Sequence, residues 1–375
     1  MKLVVGVNHA APHHVGGSER VVQQITESMR NDYGIDCHVL SKFAKGRIVH
    51  NGVTVEKTKD SDTAFLAQVK SLKPDHLHIY SDSFVYWPAI LRHSTEIEAS
   101  KSVALVGMNC MRGHPDLARL FKSRKDQFHA ITHSSNYLDY KMCDGMEIKP
   151  TVIHNAIDMK EFSDQGFSFR EKYKIKTEHI VLCVSNFFPG KAQEHLDYIL
   201  RSLYKRRKDF TAVFICSTVN YQPANVLRLR LGSVLSKNPY PNQLLVDIPR
   251  SDTIQAFRES SVFAFPSQIE VAPLVVLEAM AAGLPWVSLN VGNVPTLDGG
   301  FVINGERKSQ DKWQYDLRMY HEFTDHLDAL MSDKEMHLSK SEAGKKRILA
   351  DYDWSQIRKQ YYQVFTGKEA PCLPL

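Results

Sequence analysis

Residues 261–289 read "SVFAFPSQIEVAPLVVLEAMAAGLPWVSL", and the succession of patterns within them decides the fold. A short aromatic and β-branched run opens the segment and ends in a polar loop that carries Glu270. Pro273 suits the first turn of a helix and Gly283 suits its stop, so the spacing predicts a helix over about 273–282. A second apolar run, "LPWVSL", follows at once. Within the predicted helix Leu274, Leu277 and Ala281 share a face with Glu278, while Val275, Val276, Ala279 and Met280 cover the other faces. A helix apolar all round is a buried helix, and a buried carboxylate is costly unless something hydrogen-bonds it. Two kinds of partner remain open for Glu278: an internal Arg, Lys or backbone amide, or a pair of ligand hydroxyls.

Strand, helix, strand is the unit of a parallel α/β sheet, and the same alternation runs through most of the chain. "KLVVGV", "CHVLS", "DHLHIY", "SVALVGM", "FHAITHS" and "PTVIHN" read as strands with amphipathic segments between them, and the pattern then restarts with "IVLCVSN", "TAVFICS", "LLVDIP", "SVFAFPS" and "LPWVSL". A polar join near residues 158–178 separates the two series, and its stretch Ser163–Glu178 lacks strong periodicity. Two doubly wound halves facing each other across a cleft are the expected architecture. The length of 375 residues agrees, since it exceeds what one hydrophobic core usually supports. The C-terminal "AGKKRILADYDWSQIRKQYYQVF" reads as one long helical pattern with no strand after it, and "TGKEAPCLPL" as a tail.

Composition narrows the function classes. With 43% hydrophobic and 24% charged residues the chain is an ordinary globular protein. Six cysteines lie far apart with no redox or metal-ligand spacing, which predicts reduced thiols in a cytoplasmic setting. The N-terminus "MKLVVGVNHAAPHH" reads as a first strand rather than a signal peptide. The most apolar stretch, Val271–Leu289, carries Glu278, Gly283 and Pro285 and is read as a buried helix and strand, not a membrane span. No basic stripe interleaved with aromatics appears, so nucleic acid is not an expected partner. The basic run Tyr204–Phe210, "YKRRKDF", is read as a solvated helix end, with contact to a membrane surface as the other reading. Of the seventeen histidines, His13 and His14 are adjacent and His76 and His78 are two apart; neighbours on a strand point to opposite faces, no carboxylate or cysteine completes a set, and no metal is expected.

In open α/β sheets ligands collect beyond the carboxyl ends of the strands, where loops lead into helices. In the first half, "HHVGGSERVV" places Gly16 and Gly17 where backbone can approach a ligand closely, with Ser18 able to cap the helix; a plain capped turn is the other reading. In the second half, "CVSNFFPGKAQEHL" runs through Pro189 and Gly190 to Lys191 at a helix start, a placement that suits a point charge on a phosphate and equally a solvated lysine.

Taken together, "PSQIEVAPLVVLEAMAAGLP" (266–285), with Glu270 and Glu278 separated by seven residues, resembles the signature of retaining, nucleotide-sugar-dependent glycosyltransferases of the GT-B fold, the glycosyl transferases group 1. "HHVGGSERVVQQI" is similar to the N-terminal glycine pair of that family, "SLKPDHLHIY" to its second-half strand entry, "VIHNAIDMKEF" to its linker motif and "CVSNFFPGKAQEHL" to its phosphate-lysine loop. The resemblance implies a Rossmann-like acceptor domain over 1–160, a nucleotide-sugar donor domain over 161–352, a helix over 353–367 packing back toward the first domain, and a tail over 368–375. It further implies that Glu278 binds the nucleotide ribose, that Glu270 lies beside the donor sugar, and that Lys191 neutralises the diphosphate leaving group. Asn186, Gly190, Ala272, Pro273 and Leu274 would complete the donor-binding loops, with Gly16 and Gly17 on the opposite wall. No cofactor is implied; the substrates are a UDP-, GDP- or ADP-sugar and a glycan, lipid or small-molecule acceptor, with transfer retaining and metal-independent and the protein cytoplasmic or peripheral at a membrane surface.

The chain departs from the family pattern at four places. Asn186 stands where an arginine is usual, and Arg250 or Arg20 is the candidate replacement. Pro273 withdraws an amide from the loop. In "NVGNVPTLDGG", Asn293 and Thr296 replace glycine and glutamate. In "VGMNCMRGHPDL" the usual histidine is missing; Asn109 is nearest in position, and His114 is taken as the residue that contacts the sugar. The competing readings are a sugar-nucleotide epimerase or phosphorylase-like GT-B enzyme, and a catalytically weakened GT-B binding subunit.

Overall fold

The computed structural model describes residues 1–14, 16–81, 83–106, 114–135, 138–163, 165–187, 189–217, 237–309, 312–313 and 316–371. The chain forms two compact units, Met1–Asn155 together with Ser355–Leu375, and Ala156–Trp354.

The first unit is built on strands β1 (Lys2–Val7), β2 (Asp36–Ser41), β3 (Arg47–His50), β4 (Val53–Lys57), β5 (His76–Tyr80), β6 (Ser100–Leu105), β7 (His129–Thr132) and β8 (Thr151–Val152). They hydrogen-bond in the order β3-β4-β2-β1-β5-β6-β7-β8, parallel throughout except at the β3–β4 hairpin. That hairpin is absent from the strands expected above. Its turn is Asn51-Gly52, both with positive φ (48° and 80°), the pair that a two-residue hairpin turn demands. The helix Trp354–Thr366 closes the unit: Arg358 pairs with Asp32 at 2.6 Å, Tyr362 meets Tyr33 with ring centroids 4.4 Å apart, and Phe365 lies on His76 and His78 at 5.0 and 5.2 Å. The long C-terminal helical pattern is therefore broken. Helix Lys334–Arg347 runs into a π-turn at Ile348–Tyr352, and Asp353 bridges to Ile157 before the last helix starts.

The second unit holds β9 (His179–Val184), β10 (Phe210–Cys216), β11 (Asn242–Val246), β12 (Val262–Phe265), β13 (Trp286–Leu289) and β14 (Gly300–Ile303), all parallel, in the order β11-β10-β9-β12-β13-β14. β10, β12 and β13 are buried along their whole length, as strands covered on both faces should be, which explains their unbroken apolar runs. β14 was not read from the sequence, because its run is short and begins with a glycine. Gly300 is required there: a Cβ would lie 2.0 Å from the Trp286 ring, which is fully buried beside it.

Helix Leu274–Ala282 spans the predicted stretch, with Pro273 as its N-cap and Gly283 left-handed (φ +73°) as its C-cap. The polar join is less featureless than its composition suggests. Ser168 caps a short helix, Phe169–Lys172, whose first amides from Phe169 and Arg170 donate to Glu259 at 2.8 and 3.0 Å, holding that carboxyl below its usual range against the opposing effect of burial. The basic run near residue 207 is likewise more than a solvated end: Arg207 bridges Asp209 and Asp328 at 2.7 and 3.1 Å with its side chain 13% exposed. Among the described residues no helix is long and apolar enough to cross a membrane.

Candidate functional site

In the second unit the strand order runs outward in opposite directions from β9 and β12, so the switch point of the sheet lies between them. The loops leaving their carboxyl ends part there, which is where an open α/β sheet binds ligands. The loop after β9 carries Asn186, Gly190 and Lys191; the loop after β12 carries Glu270, Ala272 and Pro273.

The two loops are tied together. Lys191 Nζ donates to Glu270 Oε1, with the side chains 17% and 11% exposed, and Ser267 Oγ donates to the same oxygen at 2.6 Å. Gly190 O accepts the Gln268 amide at 2.8 Å. A turn over Pro189–Lys191 and a left-handed Ala192 (φ 54°) then deliver the chain into helix Gln193–Arg206, so Lys191 sits just ahead of a helix start. Asn186 supplies no charge: its Oδ1 accepts from Ser217 Oγ at 2.5 Å and its carbonyl from Gln193 Nε2 at 3.0 Å.

A third loop, after β13, braces the second. Asn293 N donates to Val271 O at 2.9 Å, and Gly292 (φ +52°) passes so close that a Cβ would lie 2.3 Å from that carbonyl oxygen. Asn293 is buried, and Thr296 bonds back to its carbonyl at 2.7 Å.

Beyond this loop Ala272 and Leu274 are buried, and the following helix carries Glu278, 6% exposed. Of the two kinds of partner that the sequence allows Glu278, the structure supplies an internal one: Arg250 Nη1 lies 2.6 Å from Glu278 Oε1, and Arg250 Nη2 3.3 Å from Glu161. Arg250, considered above only as a substitute charge for the diphosphate, is thus committed at both terminal nitrogens, Nη1 and Nη2, to carboxylates.

In the first unit the corresponding switch point falls between β1 and β5. Gly16 is the extended N-cap (φ −165°) and Gly17 the first residue of helix Gly17–Asn31. No side chain caps this helix, so Ser18 does not take the role expected of it. Asn8, which carries no motif in the sequence, joins the two loops by donating to Ser83 O at 2.9 Å and accepting from Val85 N at 3.1 Å. Beside it the His9 ring stacks on Phe43 at 4.6 Å, and His14 Nε2 lies 3.0 Å from Phe43 O. His114 is exposed and begins helix Pro115–Ser123 through its backbone, its carbonyl accepting from Leu117 and Ala118; Asn109 lies outside the described residues.

Two histidine readings change. His76 and His78, two apart on β5, share one face and reach a common Ser102 Oγ at 2.7 and 2.8 Å. Burial pushes His76 down to about 3 and His133 to about 4, so this face is neutral. Among the described residues one group, Glu178, His179 and Asp209, has metal-ligand proximity. It lies at the amino ends of β9 and β10, away from the loops, and Arg207 occupies both Asp209 oxygens at 2.7 and 2.8 Å.

Two parallel, doubly wound Rossmann-like units, with a cation–carboxylate pair at the switch point of the second, make up a protein of the GT-B fold. Residues 165–347, nearly half of the chain, match the family described as glycosyl transferases group 1. An uncharacterized glycosyltransferase of Haemophilus influenzae is 27% identical over 188 residues, 48% of this chain and 47% of that protein. A GDP-mannose-dependent alpha-(1-6)-phosphatidylinositol monomannoside mannosyltransferase of Mycobacterium tuberculosis is 24% identical over 213 residues, 54% of this chain and 51% of that one. The chain spans about half the length of these curated relatives. Anabaena HepE in complex with UDP-glucose has a TM-score of 0.76 at 16% identity, covering 98% of this chain and 100% of that chain, a likeness that shows the fold.

Proposed function

We propose that the protein is a retaining glycosyltransferase that moves a hexose-type sugar from a nucleoside diphosphate donor to a glycan, lipid or small-molecule acceptor. The observation that carries this reading is the juxtaposition of Lys191 and Glu270 at the β9–β12 switch point, one helix away from the buried Glu278. Relatives and neighbours whose names include GDP-mannose and UDP-glucose support a nucleotide sugar as donor.

In this reading Lys191 stabilises the charge that grows on the departing diphosphate. An ammonium has three donor positions, so it can hold Glu270 and phosphate oxygens together. The start of helix Gln193–Arg206 adds its partial positive charge on the same side, which partly offsets the cation that Asn186 does not supply. Glu270, fixed by Lys191 and Ser267, orients the donor sugar. Glu278 accepts from the ribose hydroxyls, since Arg250 takes only one of the roughly four lone-pair sites of its carboxylate. Gly190, Ala272 and Leu274 offer backbone amides to the donor, and Pro273 shapes the loop without offering one. Gly16, Gly17 and His114 are assigned to the sugar and acceptor side. With Lys191 in the role of leaving-group cation, the reaction needs no metal; the protein is assigned to the cytoplasm or to the periphery of a membrane surface.

The test is a panel of UDP-, GDP- and ADP-sugars. One base is expected to stabilise the protein against heat and to be hydrolysed slowly without acceptor. Neither effect from any member of the panel would sink the reading.

A further inference from the structure

We infer that Arg250 is a positioning residue for donor recognition: by tying Glu278 to Glu161 it fixes the direction in which the Glu278 carboxylate meets the two hydroxyls of a nucleoside ribose. The inference rests on the proposed assignment of Glu278 to the ribose and adds the element that makes this carboxylate selective.

Helix Leu274–Ala282, "LVVLEAMAA", contains no charged residue besides Glu278, so counter-charge has to come from another element. It comes from Arg250, the first residue of helix Arg250–Glu259, which packs against helix Leu274–Ala282. The guanidinium is a planar fork with fixed donor directions, and both its ends are held: Nη1 on Glu278 at 2.6 Å and Nη2 on Glu161 at 3.3 Å, while its Cζ lies 5.6 Å from the Phe162 ring centroid. Glu161 is itself anchored. Its turn, Met159–Phe162, is capped by Asp158 on Lys160 N at 3.0 Å and held by Arg258 on Phe162 O at 2.8 Å. Just before it, Ile157 exchanges backbone bonds of 2.9 Å with Tyr352 and Trp354. The fork is therefore fixed from three segments of the second unit, and Glu278 Oε1 with it.

A carboxylate pinned at one oxygen has one plane in which to present the other. Two vicinal hydroxyls can use that plane together, whereas a single hydroxyl loses half of the match. Arg250 thus turns a buried charge into a reader of the ribose.

The test measures dissociation constants by calorimetry on the full chain for UDP, GDP and ADP, and then for the 2′-deoxy form of whichever binds best. Wild type is expected to prefer the ribonucleotide by roughly ten- to a hundredfold, the worth of one hydroxyl–carboxylate bond. Arg250→Gln is expected to reduce that preference to within about threefold. Arg250→Lys keeps the charge but not the two-ended fork, and is expected to lower the preference at least about threefold; it decides the matter if Arg250→Gln does not fold. A general loosening of the site would weaken both nucleotides alike, so a wild-type preference in either folded variant overturns the inference. Glu278→Gln separates the two layers. If it leaves ribonucleotide affinity and preference intact, or if wild type binds none of the three nucleotides, the ribose assignment has failed. If it abolishes the preference while the Arg250 variants keep it, the assignment stands and the role of Arg250 falls.

Discussion

Lys191 and Glu270 are the two residues on which most depends. Lys191→Ala removes the cation from a nearly buried carboxylate that, among the described residues, keeps Ser267 as its side-chain donor, so the variant is expected to lose about 2 kcal/mol of stability in a urea melt. Glu270→Gln in the same chain is expected to recover part of that loss, because a neutral amide needs no counter-charge; equal stability of the single and double variants would contradict the pairing. Both residues were legible one at a time, Lys191 from its place before a helix and Glu270 from its spacing to Glu278. Their bond was not. They stand 79 positions apart, and only the adjacency of β9 and β12 brings them together. The pairing of Arg250 was hidden for the same reason: nothing in "DIPRSD" says that its side chain reaches a carboxylate on the helix Leu274–Ala282.

Among the elements, the three loops at the carboxyl end of the second sheet hold each other, and the glycine at 292 is where that bracing is tightest. Gly292→Ala forces a Cβ against the Val271 carbonyl at a backbone angle that side chains rarely adopt. We expect a loss of about 2–3 kcal/mol and at least about tenfold weaker donor binding, since the displaced loop carries Glu270. Wild-type stability with normal binding would show that the brace has no role. Elements announced by local chemistry were readable: Pro273 and Gly283 bound their helix, and the apolar runs marked the central strands. The β3–β4 hairpin was announced too, by Asn51-Gly52, but its strands are short and half exposed, so they do not stand out by hydrophobic periodicity. The break at Ile348–Tyr352 carries no proline or glycine; it is set by Ile157 pairing with Tyr352 and Trp354, a contact that no local pattern encodes.

At the scale of the whole molecule, the two parallel sheets followed from the twice-repeated alternation of strands and helices, while the return of the last helix to the first unit came only with the resemblance, because it is packing and not pattern that decides it. That return places Phe365 over a buried, neutral histidine face, and acid should find it. His76, His78 and His133 are held well below their ordinary values by burial, so the unfolded chain binds protons below about pH 6.5 that the native chain does not. Stability is then complete above that pH and falls on acidification, by up to about 1.4 kcal/mol per pH unit for each histidine. Urea midpoints at pH 7 and 5 read this directly, and an unchanged midpoint would contradict it. The central claim, that the loops of the second unit bind and activate a nucleotide sugar, is tested most directly by steady-state kinetics and nucleotide binding in two variants side by side. Lys191→Ala is predicted to lower kcat by about a hundred- to a thousandfold with donor affinity changed far less, and Glu278→Gln to weaken donor binding by about tenfold or more with a smaller effect on kcat. Wild-type kinetics in both, or the two effects exchanged, would contradict the assignment.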